Sequence, residues 1–323
     1  MSSIVIRTMR EADLGEADRI FRVAFGTFLR LPDPASFAGD ADYVRSRSAA
    51  WPEAALVAER DGEVVGSILS VRRGAFAFFG PLTIRPDLWE GGIAKQLVDA
   101  TVAIYDRWRL RHSGLFTFAD SAKHVALYGK FGFWPHALMA LMARPVERVG
   151  ERGDAAPASM PVGAPSLAAL PDDAHAAAIA GCRRVSDAVY AGLDATDEIE
   201  AVRRLGIGDT ALVLDGDDVV AFAVCHVGAG SEAGSGACLV KFAAVRPDVA
   251  SEATFDRLLA ACDALAAARG AGVLLVGVDL GTRAAYRQLL ARGFRTQMQG
   301  VALHRPDDVG YLTRDALVLG DWR

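Results

Sequence analysis

The stretch IRPDLWEGGIAKQLVDATVAIYDRW, from Ile84 to Trp108, holds the residues best suited to chemistry. It reads as a strand end, a break at Pro86 and an amphipathic helix, with Gly91 and Gly92 at the junction. Inside a helix glycine costs about 1 kcal/mol relative to alanine, so its backbone freedom and missing Cβ must serve some other purpose. A glycine turn entering a helix leaves amide N–H groups unpaired and presents the positive end of the helix dipole, a setting suited to phosphate or pyrophosphate. Gly92 and Ala94 are small enough to let a diphosphate reach the main chain, and Lys95 adds a charge at the rim. A helix that starts on glycines because it packs tightly on a sheet would read the same from this stretch alone.

The elements that must position this junction follow from periodicity. A strand is predicted at Ile4 to Thr8 and a helix from Ala12 to Phe25, with Leu14, Ala17, Ile20, Phe21 and Ala24 at helical spacing. A loop rich in Pro, Asp and Gly follows, and its Asp33, Asp40 and Asp42 are suited to attracting a cationic amine or to solvation. Two alternating strands flank the Asp61-Gly62 turn, a hairpin signal. Another strand spans Phe76 to Ile84; after the long helix come the strand GLFTFAD, a helix from Ser121 to Phe131, and a strand pair around Leu138 to Ala143. Residues 146–165 read as a linker by their Pro, Gly and Ala content. The glycines do not follow the first strand and no acidic residue stands at ribose spacing, which excludes a dinucleotide-binding fold.

Beyond the linker the pattern repeats. ALVLDGDDVVAFAVCH echoes ALVAERDGEVVGSILS, AAVRPD echoes LTIRPD, and ARGFRT echoes KFGFWP. Pro86 and Pro247 are separated by the same offset as Gly132 and Gly293, namely 161, which marks a tandem duplication. Adding 161 to Gly92 and Ala94 gives Ala253 and Phe255: the copy keeps the helix and lacks both glycines. The architecture therefore does not need them, which favours a ligand in the first copy.

IRPDLWEGGIAKQL resembles motif A of the GNAT acyl-CoA-dependent acyltransferase superfamily, Q/R-x-x-G-x-G/A, with Gly92 and Ala94 in register and Trp89 where the family has Gln or Arg. ALYGKFGF resembles motif B, with Tyr128 four residues before Gly132-Phe133. The resemblance implies an α/β (α+β) fold of two tandem GNAT-like domains, each a mixed, mostly antiparallel sheet flanked by helices and splayed between strands 4 and 5. Residues 1–145 would be the catalytic N-acetyltransferase domain and 166–323 a degenerate copy serving as a lid or part of the acceptor pocket. It implies acetyl-CoA as acyl donor, its pantetheine arm along Leu82, Thr83 and Ile84 and its pyrophosphate on Gly91, Gly92, Ile93, Ala94 and Lys95. Ser121 stands where the family often has a cofactor-contacting Asn, and is equally suited to capping a helix. A strand-four N–H would stabilise the oxyanion and Tyr128 would protonate the leaving thiolate. No carboxylate lies on FAFFGPLTI, so Asp120 is the candidate base, with His124 and His136 read as packing or surface residues.

The implied acceptor is a small-molecule or peptide amine, approached past the aromatic residues Phe25, Phe28, Phe76, Phe78, Phe79, Trp89 and Trp134, of which the strand members are equally suited to the core. A non-catalytic acyl-CoA-binding regulatory protein or scaffold is the competing reading, favoured by Trp89 and Glu90 in the loop. The net charge of −5 argues against nucleic acid, and no apolar run of about 20 residues suits a membrane span. A cytoplasmic protein without nucleic-acid or membrane partners is expected, and a homodimer is compatible with the sequence. Cys182, Cys225, Cys238 and Cys262 lack metal-ligand spacing and read as buried reduced thiols, and no metal is expected.

Overall fold

The computed structural model describes residues 3–147 and 166–323. Residues 148–165, nearly all of the expected linker, lie outside the described residues. The first half supplies β1 (Ile4–Thr8), α1 (Leu14–Phe28), α2 (Val44–Ala50), β2 (Leu56–Arg60), β3 (Glu63–Arg73), β4 (Phe76–Ile84), α3 (Ile93–Trp108), β5 (His112–Thr117), α4 (Ala122–Gly129) and β6 (Trp134–Pro145). The second half supplies α5 (Asp172–Val189), α6 (Thr196–Leu205), β7 (Gly208–Asp215), β8 (Asp218–Gly228), β9 (Gly234–Val245), α7 (Glu252–Ala268), β10 (Val273–Asp279), α8 (Arg283–Ala291), β11 (Arg295–Arg305) and β12 (Val318–Gly320).

Local chemistry explains the elements. Asp61 and Gly62 both take positive φ, so the β2–β3 hairpin turns on the pair that the sequence marks. In α3, Ile93, Leu97, Val98, Thr101, Ile104 and Tyr105 face the core at steps of one to four residues. Helix α1 runs on past Phe25 to Phe28, and α2 occupies part of a stretch with no assigned element in the sequence reading, since its short apolar pattern is masked by Arg45 and Arg47. The four cysteines are buried and free.

All the strands join one sheet, in the order β1-β2-β3-β4-β5-β11-β6-β10-β9-β8-β7, with β12 against β9. The expected strand pair around Leu138 to Ala143 is a single strand, β6, and its partner comes from the other half. β11 of the second half inserts between β5 and β6, while β6 lies between β11 and β10. Thr117 pairs with Val301, Leu138 with Val301 and Met139 with Asp279, so each half completes its sheet with a strand of the other.

Three buried ion pairs cross the same boundary, each an arginine of the first half against an acid of the second. Arg47 meets Glu232 at 2.7 Å, Arg73 meets Glu198 at 2.7 Å and Arg144 meets Asp263 at 2.5 Å. Between the halves Trp322 packs among Phe76, Phe78, Tyr311 and His304. Gly114 makes room for it: a Cβ there would lie 2.4 Å from the indole. No helix among the described residues is long and apolar enough to cross a membrane.

Burial holds three histidines neutral: His112 and His226 are pushed down to about 4 and His304 to about 3. The first and last share a 2.9 Å hydrogen bond at the seam of β5 and β11. In the unfolded chain each titrates near its ordinary value of about 6.5. Between pH 7 and 5 the unfolded state therefore binds protons that the folded state refuses, and stability falls as pH falls, by at most about 2 kcal/mol per ring at pH 5. Asp279, pushed up to about 6 by burial, works in the opposite sense and offsets part of this. Asp42 and Asp263, raised by burial, act with Asp279, and His124, lowered by burial, acts with the three rings. A net loss of stability between pH 7 and 5 is expected by calorimetry, and a melting temperature flat over that range would contradict the neutral rings. Gly114→Ala should cost about 1–3 kcal/mol by overpacking against Trp322, readable as a shift of the denaturation midpoint at constant slope.

Candidate functional site

β4 and β5 run parallel and pair only from Phe76 with His112 to Phe79 with Leu115. Beyond Phe79 the strands part, and residues 80–84 have no strand partner on that side among the described residues. On its other side β4 stays in its ladder: Ser67 pairs with Thr83, and the Arg85 N–H donates to the Val65 carbonyl at 2.9 Å. Antiparallel strands alternate the direction of their main-chain groups, so Leu82 and Ile84 turn theirs into the opening. This is the edge assigned to the pantetheine arm.

The glycine junction lies at the mouth of the same opening. Gly92 is the N-cap of α3, with φ of 75°, ψ of 5° and no side chain to cap the helix. The amides of residues 92–95 have no acceptor among the described residues, the first bond at this end being Gln96 N–H to the Gly92 carbonyl. A Cβ at Gly92 would meet nothing within 4 Å, so space does not demand glycine there and backbone conformation does. Glu90, inside the loop, is exposed to solvent.

Trp89 changes the picture of the groove. Its indole N–H donates to the Ile84 carbonyl at 2.9 Å, filling one of the main-chain acceptors that face the opening. Across the gap Lys123 of α4 places its ammonium 5.4 Å from the Trp89 ring centroid, a cation–π contact. Trp89 thus lies against the edge that a strand-like ligand would use. Neither the indole bond nor the Lys123 contact is legible in the loop sequence.

Tyr128 sits on α4 with its ring 5.6 Å from that of Phe79, the last residue of β4 to pair with β5. It is buried, its hydroxyl has no hydrogen-bond partner among the described residues, and burial pushes its pKa well above the ordinary phenol value. The structure brings Tyr128 to the apex of the opening and leaves Asp120 on an exposed turn after β5. Ser121 is the N-cap of α4, yet its side chain makes no capping bond, and Thr282 of the copy repeats this at α8. His124 is held below its ordinary value by burial and by Lys123, with its ring 5.4 Å from Phe28. His136 bonds Asp307 at 2.7 Å.

The aromatic residues divide by element. Phe76, Phe78 and Phe79 are core, whereas Trp134 is about half exposed (52%). Phe25 stacks on Phe37 at 5.2 Å and Phe28 packs on Phe118 at 4.9 Å. The loop acids are engaged: Asp33 accepts from Ala35 N–H, Asp42 from Arg45 N–H, and Asp40 from the amide and hydroxyl of Ser235 in the second half.

The equivalent cleft of the second half is filled. β9 and β10 pair only from Ala237 with Val273 to Val240 with Val276, and then part as β4 and β5 do. There β12 pairs with β9, placing Val318 against Ala244 and Gly320 against Phe242. The Val245 N–H, at the position of Ile84, donates to the Leu317 carbonyl at 3.0 Å. At α7 the Ser251 hydroxyl accepts the Thr254 N–H, so the helix end that stays open in the first half is capped here. Arg47 and Lys241, which prove central to the apex of both clefts, went unnoticed in the sequence. A signal existed for the second: in CLVKFAAV a lysine interrupts an apolar strand, at the repeat offset from Gly80.

Tyr128→Phe should leave the melting temperature within about 2 °C of the wild type, because the hydroxyl that it removes has no partner to lose. Circular dichroism melts check this and qualify the variant for functional use.

The family model described as Acetyltransferase (GNAT) family matches residues 23–133. Among solved structures, a putative acetyltransferase from Pyrococcus horikoshii aligns over 99% of this chain and 95% of its own, with a TM-score of 0.68 and 15% identity. A GCN5-related N-acetyltransferase from Sphaerobacter thermophilus aligns over 94% and 95%, with a TM-score of 0.60 and 16% identity. At such identities the likeness is one of fold. Among curated proteins no sequence matches.

Proposed function

We propose that the first half, whose residues 23–133 match the model of the acetyltransferase (GNAT) family, transfers an acetyl group from acetyl-CoA to an amine of a small molecule or peptide. Acetyl-CoA is the acyl donor of that family. The observation that carries the reading is the open main-chain edge of β4 beside four uncapped amides, both present in the first half and both filled in the second.

In this reading the pantetheine arm adds to β4 as a short strand, bonding the main-chain groups of Leu82 and Ile84. The diphosphate lies on Gly91, Gly92, Ile93, Ala94 and Lys95, where the helix dipole favours negative charge. Ser121, close to the mouth, offers its unpaired hydroxyl. The thioester carbon then lies at the apex, near Phe79 and Tyr128. A neutral amine attacks it, the carbonyl electrons pass to an oxygen held by a β4 N–H, and the C–S bond breaks as the carbonyl reforms. Tyr128 gives its proton to the departing thiolate, and the proton lost by the nitrogen returns through Asp120 and water to the phenol, so no net change in protonation remains. Burial keeps Tyr128 protonated across the working pH range, so it hydrogen-bonds the departing sulfur and eases its release. Asp120, exposed at the end of β5, would accept the amine proton directly or through water. The second half supplies no cofactor site, and the chain binds one acetyl-CoA.

Trp89 favours the alternative of a non-catalytic acyl-CoA-binding protein, since it occupies the Ile84 carbonyl. One experiment separates the two: thiol release from acetyl-CoA with an amine panel, alongside calorimetric titration of the cofactor. Turnover that falls 10²-fold or more in Tyr128→Phe, with cofactor affinity unchanged, supports transfer. Binding at one site without turnover supports the alternative, and absence of binding overturns both. Trp89→Ala should tighten acetyl-CoA binding several-fold by freeing the Ile84 carbonyl, and weaker binding would show that the indole touches the cofactor instead.

A further inference from the structure

Residues 317–323 link the two clefts. β12 fills the second, and the chain then continues through Asp321 and Trp322 to Arg323, which reaches β4 of the first half: a Cβ on Gly80 would lie 3.4 Å from the Arg323 carbonyl carbon. Gly80 is the residue at which β4 leaves β5. Its carbonyl accepts a hydrogen bond from Arg47 of α2, and the other arm of the same guanidinium reaches the Arg323 carbonyl.

Arg47 is itself held. Glu232 takes its Nε and Nη2 at 2.8 and 2.7 Å, and a carboxylate oxygen of Glu232 also takes the Lys241 ammonium at 2.7 Å. Lys241 bonds Asp321 at 2.9 Å, and Asp321 pairs with Arg323 at 2.7 Å. Arg47, Glu232, Lys241 and Asp321 have side chains no more than 2% exposed. Lys241 is the counterpart of Gly80 in the repeat, so the same apex carries a bare glycine in the first half and a buried ammonium in the second. At that apex the Lys241 carbonyl also accepts the Asp321 N–H at 3.0 Å.

We propose that the second cleft anchors residues 317–323, and that through this anchor Arg47 is a positioning residue for the Gly80 turn at the apex of the first cleft. The inference rests on the acyl-transfer reading above. Its physical content is that a fork of guanidinium donors, locked by two second-half carboxylates and one ammonium, sets the carbonyl of the β4 residue beside the reacting thioester. Lysine cannot replace arginine here, since one ammonium cannot hold Glu232 through two parallel bonds and reach two carbonyls as well. The second half thereby contributes to the first site without touching cofactor.

Two variants test it in the full chain. Arg47→Lys keeps the charge and loses the fork. Lys241→Met removes the ammonium that ties Glu232 to Asp321, and so uncouples the Arg47 fork from the anchored residues 317–323; it carries the test should Arg47→Lys not fold. For each, turnover at saturating substrate is expected to fall at least 10-fold, with the acetyl-CoA dissociation constant within twofold of the wild type. Turnover that stays at the wild-type level in a folded variant, even with a lowered melting temperature, shows a merely structural network and overturns the positioning role alone. A wild-type chain that neither binds acetyl-CoA nor releases thiol with any amine overturns the acyl-transfer reading and the positioning role together.

Discussion

Buried charge paired across the two halves is the constraint on which this structure depends. Arg47, Arg73 and Arg144 lie on the first half, and Glu232, Glu198 and Asp263 on the second. Taking one of these groups into the interior unpaired would cost several kcal/mol, more than a packed core returns locally. Arg73 and Glu198 form their ion pair only when the two halves come together. The exchange of β6 and β11 adds a second reason, because β5 and β10 would otherwise present long edges of unpaired main-chain groups. Charge pairing and strand pairing thus impose the same arrangement.

That arrangement explains how one fold used twice gives two unlike clefts. Parallel pairing of β4 with β5, and of β9 with β10, lasts four residues and then stops, leaving a strand edge that needs a partner. The second half meets the need internally with β12, and caps its helix with Ser251. Among the described residues the first half leaves its helix amides bare, and along the parted stretch of β4 single side-chain donors take the Gly80 and Ile84 carbonyls. An unsatisfied edge beside an uncapped helix is a place where a ligand with amides and phosphates gains most, because it restores bonds that the fold itself does not make. The asymmetry between the copies, more than any one residue, is what favours the first cleft as the proposed site.

The sequence alone already determined a good deal. The constant offset between the copies, the hairpin turn at Asp61-Gly62, the glycine junction and the absence of its glycines from the copy are local or repetitive features, set by backbone conformation and periodicity. Those are legible without knowing what touches what. So were the strand ending at Ile84, the helix from Ile93 and the placement of Tyr128 on the helix that follows β5.

What tertiary structure decided were relations between distant residues. That β11 rather than a neighbouring strand pairs with β5 depends on burial summed over both halves, since β6 and β11 carry equivalent patterns and each suits either place. The engagement of Asp40 by Ser235, of Arg47 by Glu232 and Gly80, and of the β9 edge by residues 317–320 joins positions far apart along the chain. Charged side chains such as Arg47 and Lys241 read as solvent-facing in a sequence, because burial of an ion becomes favourable only when its partners are present. Trp89 reads as a departure from a motif, and only its distance to the Ile84 carbonyl shows that it stands in for a missing hydrogen-bond donor.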